Sequence, residues 1–209
     1  MLLVIDVGNT NIVIGLIEGV EVVRTFRIRT VKARTADETG VLLMDLFRHA
    51  GREITITGAI LSCVVPDQLA ALQRTCRDWL KVEPLVVGPG VRTGMPILAD
   101  NPREVGADRI VNSVAAWERT GRATVVVDFG TATTFDCISA RGEYLGGVIA
   151  PGFQISAEAL FRNASKLPRV ETVRPKKVIG RNTIHSMQSG LYYGYVSLVD
   201  GVVRRVKEG

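Results

Sequence analysis

Histidine and cysteine are scarce in this sequence, and the classic nucleotide loops are missing. The 209 residues carry two histidines, His49 and His185, and three cysteines, Cys63, Cys76 and Cys137. The cysteines are odd in number, far apart and form no C-x-x-C pair. That argues against a disulfide framework or a zinc knuckle and points to a reducing, cytoplasmic setting. Two histidines are too few for a histidine-built metal site, read as structural or surface residues, and disfavour a hydrolase triad. Aromatic residues make up only 6% of the chain, and no apolar run approaches the roughly 20 residues of a membrane span. The N-terminus, Met1 to Asp6, has no basic stretch before its apolar residues and reads as a first strand rather than a signal peptide. There is no G-x-x-x-x-G-K-[ST], no strand-borne G-x-G-x-x-G and no G-x-S-x-G, and the glycines at 88, 90 and 94 are wrongly spaced for a dinucleotide fingerprint. What is present is 46% hydrophobic and 22% charged. That is enough for one large domain or two small ones with a core needing no disulfide or metal.

The net charge of +5 is uneven. Residues 159–209 hold ten Lys/Arg against three Asp/Glu, whereas the remainder is net −2. A basic C-terminal portion suits nucleic acid, a phosphorylated small molecule or a solvated helix face. Without aromatic interleaving, nucleic-acid binding is disfavoured.

The most informative feature is an internal echo. Residues 4–13, Val-Ile-Asp-Val-Gly-Asn-Thr-Asn-Ile-Val, align with residues 126–135, Val-Val-Asp-Phe-Gly-Thr-Ala-Thr-Thr-Phe, with Asp6 on Asp128 and Gly8 on Gly130. Each copy is an apolar run, an Asp-x-Gly turn and a second β-rich run, and each continues to a hairpin signal, Glu18-Gly19 or Arg141-Gly142. Two such copies predict two similar α/β lobes, residues 1–118 and 119–209. Between them the spacing predicts a helix over Ala36–Ala50, a strand over Gly58–Val65 and a helix N-capped by Asp67 and running to Leu80. A strand follows at Pro84–Val87, then a Gly/Pro loop through Pro96, then a helix opening at Asn101-Pro102 and running past Trp117. Beyond the second hairpin, helices are expected over Gly152–Ala164 and Thr183–Lys207, the latter interrupted by Gly190, Gly194 and Gly201.

Asp6 and Asp128 each end a buried strand, where open α/β sheets place ligands. A carboxylate followed by glycine gives a turn whose amides face an anion while the Asp holds a cation. Small residues (Gly8, Asn9, Thr10, Asn11) let phosphate oxygens approach the backbone. A lone Asp-x-Gly is an ordinary turn; two matched copies predict a phosphate clamp with a metal between them. In Gly106-Ala107-Asp108-Arg109, Asp108 is suited to accept a hydroxyl proton and Arg109 to bind an anionic substrate group, although an exposed ion pair would look the same. Together the three aspartates suggest phosphoryl transfer from a nucleotide to a small hydroxylated acid, a reaction resting on positioning and charge neutralisation.

Asp6-Val-Gly-Asn-Thr-Asn11, Asn101-Pro-Arg-Glu-Val-Gly-Ala-Asp-Arg109, Asp128-Phe-Gly-Thr-Ala-Thr133 and Gly180-Arg-Asn-Thr183 resemble the signature blocks of type III pantothenate kinases, in that family's order and across nearly the whole chain. The resemblance implies an α/β chain of two ribonuclease H-like lobes, the acetate and sugar kinase/actin-like fold. It also implies a homodimer and ATP-dependent 4′-phosphorylation of pantothenate in coenzyme A synthesis, with magnesium and a monovalent cation, potassium or ammonium. It assigns ATP to Asp6, Val7, Gly8, Asn9, Thr10, Asn11, Ile12, Val13 and Thr131, with Asp6 also placed to hold magnesium through water. Asp108 becomes the base within a pantothenate segment of Gly106, Ala107, Asp108 and Arg109. Asp128 would hold the monovalent cation, and Thr183 would meet pantothenate near the subunit interface. The sequence departs from the family at Ala99, where a tyrosine is common, so pantothenate packing is expected to differ. It also ends within or just after a long helix, where the family continues through a further strand and a glycine-rich turn against the adenosine; a truncated second lobe is the expectation. Two other readings compete. One is a catalytically weak relative acting as an accessory transcription regulator, which the intact aspartates disfavour. The other is a sugar or acetate kinase sharing only the fold, which the Gly106–Arg109 block disfavours.

Overall fold

The computed structural model describes residues 1–51 and 53–209. They gather into two compact units, one of Met1–Gly94 with Asp100–Asn112, the other of Met95–Ala99 with Ser113–Gly209.

The first unit opens with β1 (Leu2–Val7), β2 (Asn11–Glu18) and β3 (Glu21–Arg29), each antiparallel to the one before. Helix α1 (Ala36–Arg48) then leads to β4 (Gly58–Cys63), and α2 (Pro66–Asp78) leads to β5 (Pro84–Val86). Both returning strands are parallel, giving the sheet order β3-β2-β1-β4-β5. Strict alternation explains the placement. Leu3, Ile5 and Val7 of β1 and Ile12, Ile14 and Leu16 of β2 are buried to 1% exposure or less on one face. They pack with Leu61 of β4, Leu43 and Phe47 of α1, and Leu72 and Cys76 of α2. Each such side chain contributes about 1.5–3 kcal/mol when fully buried.

Helix α1 starts at a capping box. Thr35 Oγ1 accepts the Glu38 amide at 3.2 Å, and Glu38 Oε2 accepts the Thr35 amide at 2.8 Å. That bond from the Thr35 backbone is the main reason the Glu38 carboxyl sits below its ordinary range. Asp67 is not the N-cap of α2 as the sequence suggested. Pro66 occupies the first turn after Val65, which makes no side-chain cap. Proline at the first helical position gives up an amide that has no partner within the helix and sets φ for it. The two helices are joined by Thr75 Oγ1, which donates to the Ala36 carbonyl at 3.0 Å. Trp79 lies against Gly40, its indole Nε1–H donating to Asp37 Oδ1 at 3.1 Å.

The second unit contains β6 (Thr124–Phe129), β7 (Ala132–Ile138) and β8 (Tyr144–Pro151), an antiparallel meander in the order β6-β7-β8. Helices α4 (Phe153–Asn163) and α5 (Thr183–Glu208) follow. Helix α3 (Ala107–Thr120) divides between the units after Asn112. The segment 95–99 joins the second unit because Tyr144 holds it. The Tyr144 amide donates to Pro96 O and its carbonyl accepts the Leu98 amide, both at 2.8 Å. Its ring is buried and its hydroxyl donates to the buried Asp136 at 2.9 Å. Phe135, Ile138, Tyr144, Met187 and Leu191 are the buried apolar residues of β7, β8 and α5.

Two expectations about helices are corrected here. The helix predicted from Asn101 is only a single 3₁₀ turn, Pro102–Glu104, after which Val105 is extended and α3 begins at Ala107. Asn101 caps that short turn, and the chain must break helical geometry to present Gly106 at the next start. Conversely, α5 runs unbroken for 26 residues through Gly190, Gly194 and Gly201. A glycine in a helix costs only about 1 kcal/mol relative to alanine, which tertiary packing overrides. No helix among the described residues is long and apolar enough to cross a membrane.

The Gly40–Trp79 contact gives a test of the first unit. A methyl group on Gly40 would overlap the Trp79 indole. Gly40→Ala is therefore expected to destabilise the chain by about 1–3 kcal/mol despite alanine's better helix propensity. Urea unfolding checks it, and adding Trp79→Leu should recover part of the loss.

Candidate functional site

The echoed hairpins close by the same device. In the first, the Gly8 amide donates to the Asn11 carbonyl at 3.0 Å; in the second, the Gly130 amide donates to the Ala132 carbonyl at 2.9 Å. The second is one residue tighter, so Asp6 pairs with Val13, seven residues on, and Asp128 with Thr134, six residues on. A Cβ on Gly8 would stand 3.2 Å from the Asn11 oxygen, and one on Gly130 would stand 3.4 Å from the Ala132 oxygen. The turns are thus closed tightly over glycine, and each aspartate is left at the C-terminal end of its strand. Asn9 and Thr10 are exposed, as are Asp128, Phe129, Gly130 and Thr131. Thr30 Oγ1 donates to the Gly8 carbonyl at 2.7 Å and Thr30's amide to the Thr10 carbonyl at 3.0 Å, bracing the first loop from the end of β3.

Parallel pairing of β1 with β4 puts Ser62 opposite Asp6 and Cys63 opposite Val7. Ser62 is 4% exposed, and its hydroxyl has no hydrogen-bond partner among the described residues. A buried hydroxyl beside a strand-end carboxylate has the chemistry to serve a polar ligand or a hydrated cation. Nothing in the sequence singled out Ser62, because only the parallel register brings it to Asp6. The same register explains Cys63. Burial raises its thiol pKa, the Val65 backbone lowers it, and the Asp6 carboxylate raises it further. Cys76 is pushed by burial to about 11.

The third carboxylate begins α3. Gly106 serves as its cap, its carbonyl accepting the Ile110 amide at 3.2 Å. Asp108 sits in the first turn with Oδ1 accepting its neighbour Arg109's amide at 2.8 Å. That oxygen lies 2.5 Å from where a Cβ on Gly106 would stand, so a side chain at 106 would displace the Asp108 carboxylate. Negative charge in the first turn is favoured by the helix dipole. Asp108 and Arg109 are both half-buried, and Ala107 is buried behind them.

Thr183 opens α5, capped by Asn182, whose Oδ1 accepts the His185 amide at 2.8 Å. Gly180 packs so closely on the first turn of α5 that a side chain would overlap the Ser186 backbone. Arg181, Asn182 and Thr183 rim a groove of about 810 Å³ along α4 and α5, floored by Leu160, Met187 and Leu191. Asp6, Asp108 and Arg109 are carried by the first unit; Asp128, Thr131 and Thr183 are carried by the second. Among the described residues, no three His, Cys, Asp or Glu side chains gather as a metal-holding group.

This architecture has solved relatives. The chain resembles a conserved Baf family protein of Campylobacter jejuni, described as a candidate transcriptional activator, at 18% identity and a TM-score of 0.56 over 96% of this chain and 78% of that one. It also resembles a candidate 2-dehydro-3-deoxygalactonokinase of Sinorhizobium meliloti, at 10% identity and a TM-score of 0.50 over 79% of this chain and 58% of that one. These likenesses define the class as an α/β protein of the sugar kinase/actin-like fold. Sequence comparison narrows it. A family model for type III pantothenate kinase matches residues 2–205. The chain is 60% identical to the type III pantothenate kinase of Pelobacter propionicus over 99% of its length and 82% of that protein's. It is 57% identical to that of Myxococcus xanthus over 99% of its length and 81% of that protein's. The chain belongs to the type III pantothenate kinase family.

The Asp6–Cys63 neighbourhood is testable by thiol chemistry. The Asp6 charge raises the Cys63 pKa, so Asp6→Asn lowers it and enlarges the thiolate fraction. Alkylation of Cys63 by iodoacetamide at pH 8 is expected to quicken about twofold or more in that variant, with Cys76 inert in both proteins. Peptide mass spectrometry reads each site separately, and an unchanged Cys63 rate would contradict the placement.

Proposed function

We propose that this chain is a kinase that transfers the γ-phosphoryl group of ATP to the 4′-hydroxyl of pantothenate, the first step of coenzyme A biosynthesis. The observation carrying this reading is the family match over residues 2–205, and the glycine-closed hairpins ending in Asp6 and Asp128 support it.

The residues divide the work as follows. Asp6 to Val13 form the first phosphate loop, in which the exposed Asn9 and Thr10, with Gly8 beside them, receive phosphate oxygens. Thr131 contributes to the nucleotide from the second loop. Asp128 suits a monovalent cation, potassium or ammonium, and Asp6 with the nearby Ser62 hydroxyl suits a hydrated magnesium ion. When bound, these cations neutralise phosphate charge. The half-buried Asp108 accepts the proton of the pantothenate hydroxyl, held in place by the Arg109 amide at 2.8 Å. Arg109 pairs with the substrate carboxylate, a charge-assisted contact favoured by its fork of donors. Gly106 and Ala107, having little or no side chain, let the substrate approach the backbone. Thr183 meets pantothenate, and a homodimer with the substrate site near the subunit interface fits the exposed groove beside it. A cytoplasmic setting suits three free cysteines. The regulator reading is not favoured, since likeness to the Campylobacter protein at 18% identity extends to the fold alone.

A coupled ADP-release assay with pantothenate, ATP and magnesium tests the proposal, run in potassium and again in sodium. Pantothenate-dependent turnover is expected in potassium and not in sodium; turnover without pantothenate, or none in either salt, overturns it. Asp108→Asn is expected to lower kcat by about 10²–10⁴ while calorimetric MgADP binding stays near wild type. An unchanged rate would remove Asp108 from the role of base.

A further inference from the structure

Tyr195 lies midway along α5, yet it touches the second hairpin from 62 residues away in sequence. Its hydroxyl donates to the carbonyl of Pro151, the last residue of β8. Thr133 Oγ1, fully buried near the start of β7, lies 3.3 Å from the same phenol oxygen. A phenol has one proton, and here it goes to Pro151, so the Thr133 hydroxyl is the donor to Tyr195. The ring also stands edge-on to Phe153, the first residue of α4, with centroids 5.1 Å apart and planes at 70°. One side chain therefore ties together the end of β8, the start of β7 and the start of α4.

The residue held between those contacts is Gly152. Its amide donates to the Thr131 carbonyl at 3.0 Å. It is buried, and any side chain there would overlap the carbonyl oxygens of both Gly130 and Thr131. The outer side of the loop, Asp128 to Thr131, is exposed, so the backbone of Pro151–Gly152 is the floor on which residues 130 and 131 rest. The hydrogen bond from Tyr195 is made to that floor, at the Pro151 carbonyl.

We infer that Tyr195 is a positioning residue for the nucleotide: its hydroxyl, through Pro151 and Gly152, sets the geometry of the Gly130–Thr131 turn and of the neighbouring Asp128. The inference rests on the kinase reading above, in which this loop meets ATP and the monovalent cation. The Tyr195 hydroxyl is taken up by Pro151 and Thr133, so its action on the nucleotide runs through the backbone. Its loss should therefore appear as weaker use of ATP and of potassium, with pantothenate affinity untouched.

Tyr195→Phe keeps the ring and its edge contact with Phe153 but removes the hydroxyl. It is expected to raise KM for ATP about three- to tenfold, the range of one net hydrogen bond, with KM for pantothenate changed by less than about twofold. Tyr193 supplies the matched control. It lies on the same helix, and its hydroxyl donates to another proline carbonyl, Pro175, at 3.1 Å; Tyr193→Phe should leave KM for ATP where it was. Adding Thr133→Val to Tyr195→Phe removes the stranded buried hydroxyl, so melting temperature should partly recover while KM for ATP stays raised. A Tyr195→Phe variant that raises both KM values alike, or behaves as Tyr193→Phe does, overturns the inference. Amide hydrogen exchange keeps the test independent of turnover. Faster exchange over residues 129–134 in Tyr195→Phe than in Tyr193→Phe supports the positioning role, and equal exchange overturns it. If the wild-type chain gives no pantothenate-dependent turnover, the kinase reading fails by that result alone, and the exchange comparison still decides the role of Tyr195.

Discussion

A carboxylate inside an apolar sheet must be hydrogen-bonded, as Asp136 is by Tyr144, or be brought out at a turn. Both Asp-x-Gly hairpins meet this constraint in the same way. Three alternating apolar residues carry β1 through the core, Asp6 closes the strand, and the Gly8 amide is satisfied at once by the Asn11 carbonyl. The Gly130 amide does the same against Ala132 in the second unit. Because the turn closes on a backbone bond and not on a side chain, the residues in it stay available to face a ligand. The rest of each unit supports that turn: Thr30 braces the first from β3, and Gly152 underlies the second.

The two units reach this common feature with different surroundings. In the first, β1 is flanked on both sides, by β2 and β4, and its inward side chains are almost fully buried. In the second, β6 pairs with β7 alone among the described residues, and Val125, Val126 and Val127 are only half-buried. Less of the second hairpin's rigidity therefore comes from apolar burial, and more of it falls to directional contacts. The Tyr144–Asp136 bond, the Gly152 contact and the tyrosine hydroxyl from α5 are of that kind. Polar contacts of this sort are modest in net strength but strict in geometry. They suit a loop that has to be placed to a fraction of an ångström while remaining open on one side.

Much of this was legible without coordinates. Apolar runs bounded by turn residues gave β1, β2 and β4, and the echo at Asp6 and Asp128 gave two hairpins of one design. The failures were local. Asp67 looked like a cap, but Pro66 ahead of it changed which residue entered the helix first. Asn101-Pro102 looked like the start of α3, but it opened only a single turn because Val105 turns extended before Gly106. Glycines in α5 looked like interruptions, but the helix runs through them. In each case a short-range signal was real and a neighbouring residue or a packing partner outweighed it.

The sequence by itself determined where the strand-end carboxylates fall, that glycine follows each of them, and which family the blocks resemble, because those depend on residue order and on alternation along single strands. Only the tertiary structure decided what stands beside them. Ser62 and Cys63 reach Asp6 and Val7 through a parallel register that no local pattern encodes. Gly152 reaches Thr131 by the return of β8, and Tyr195 reaches Pro151 and Thr133 from a helix that begins 45 residues after the β6–β7 hairpin ends. Contacts between residues distant in sequence are set by how sheets pair and helices dock, and a hydrogen bond of that kind leaves no periodicity in the chain that makes it.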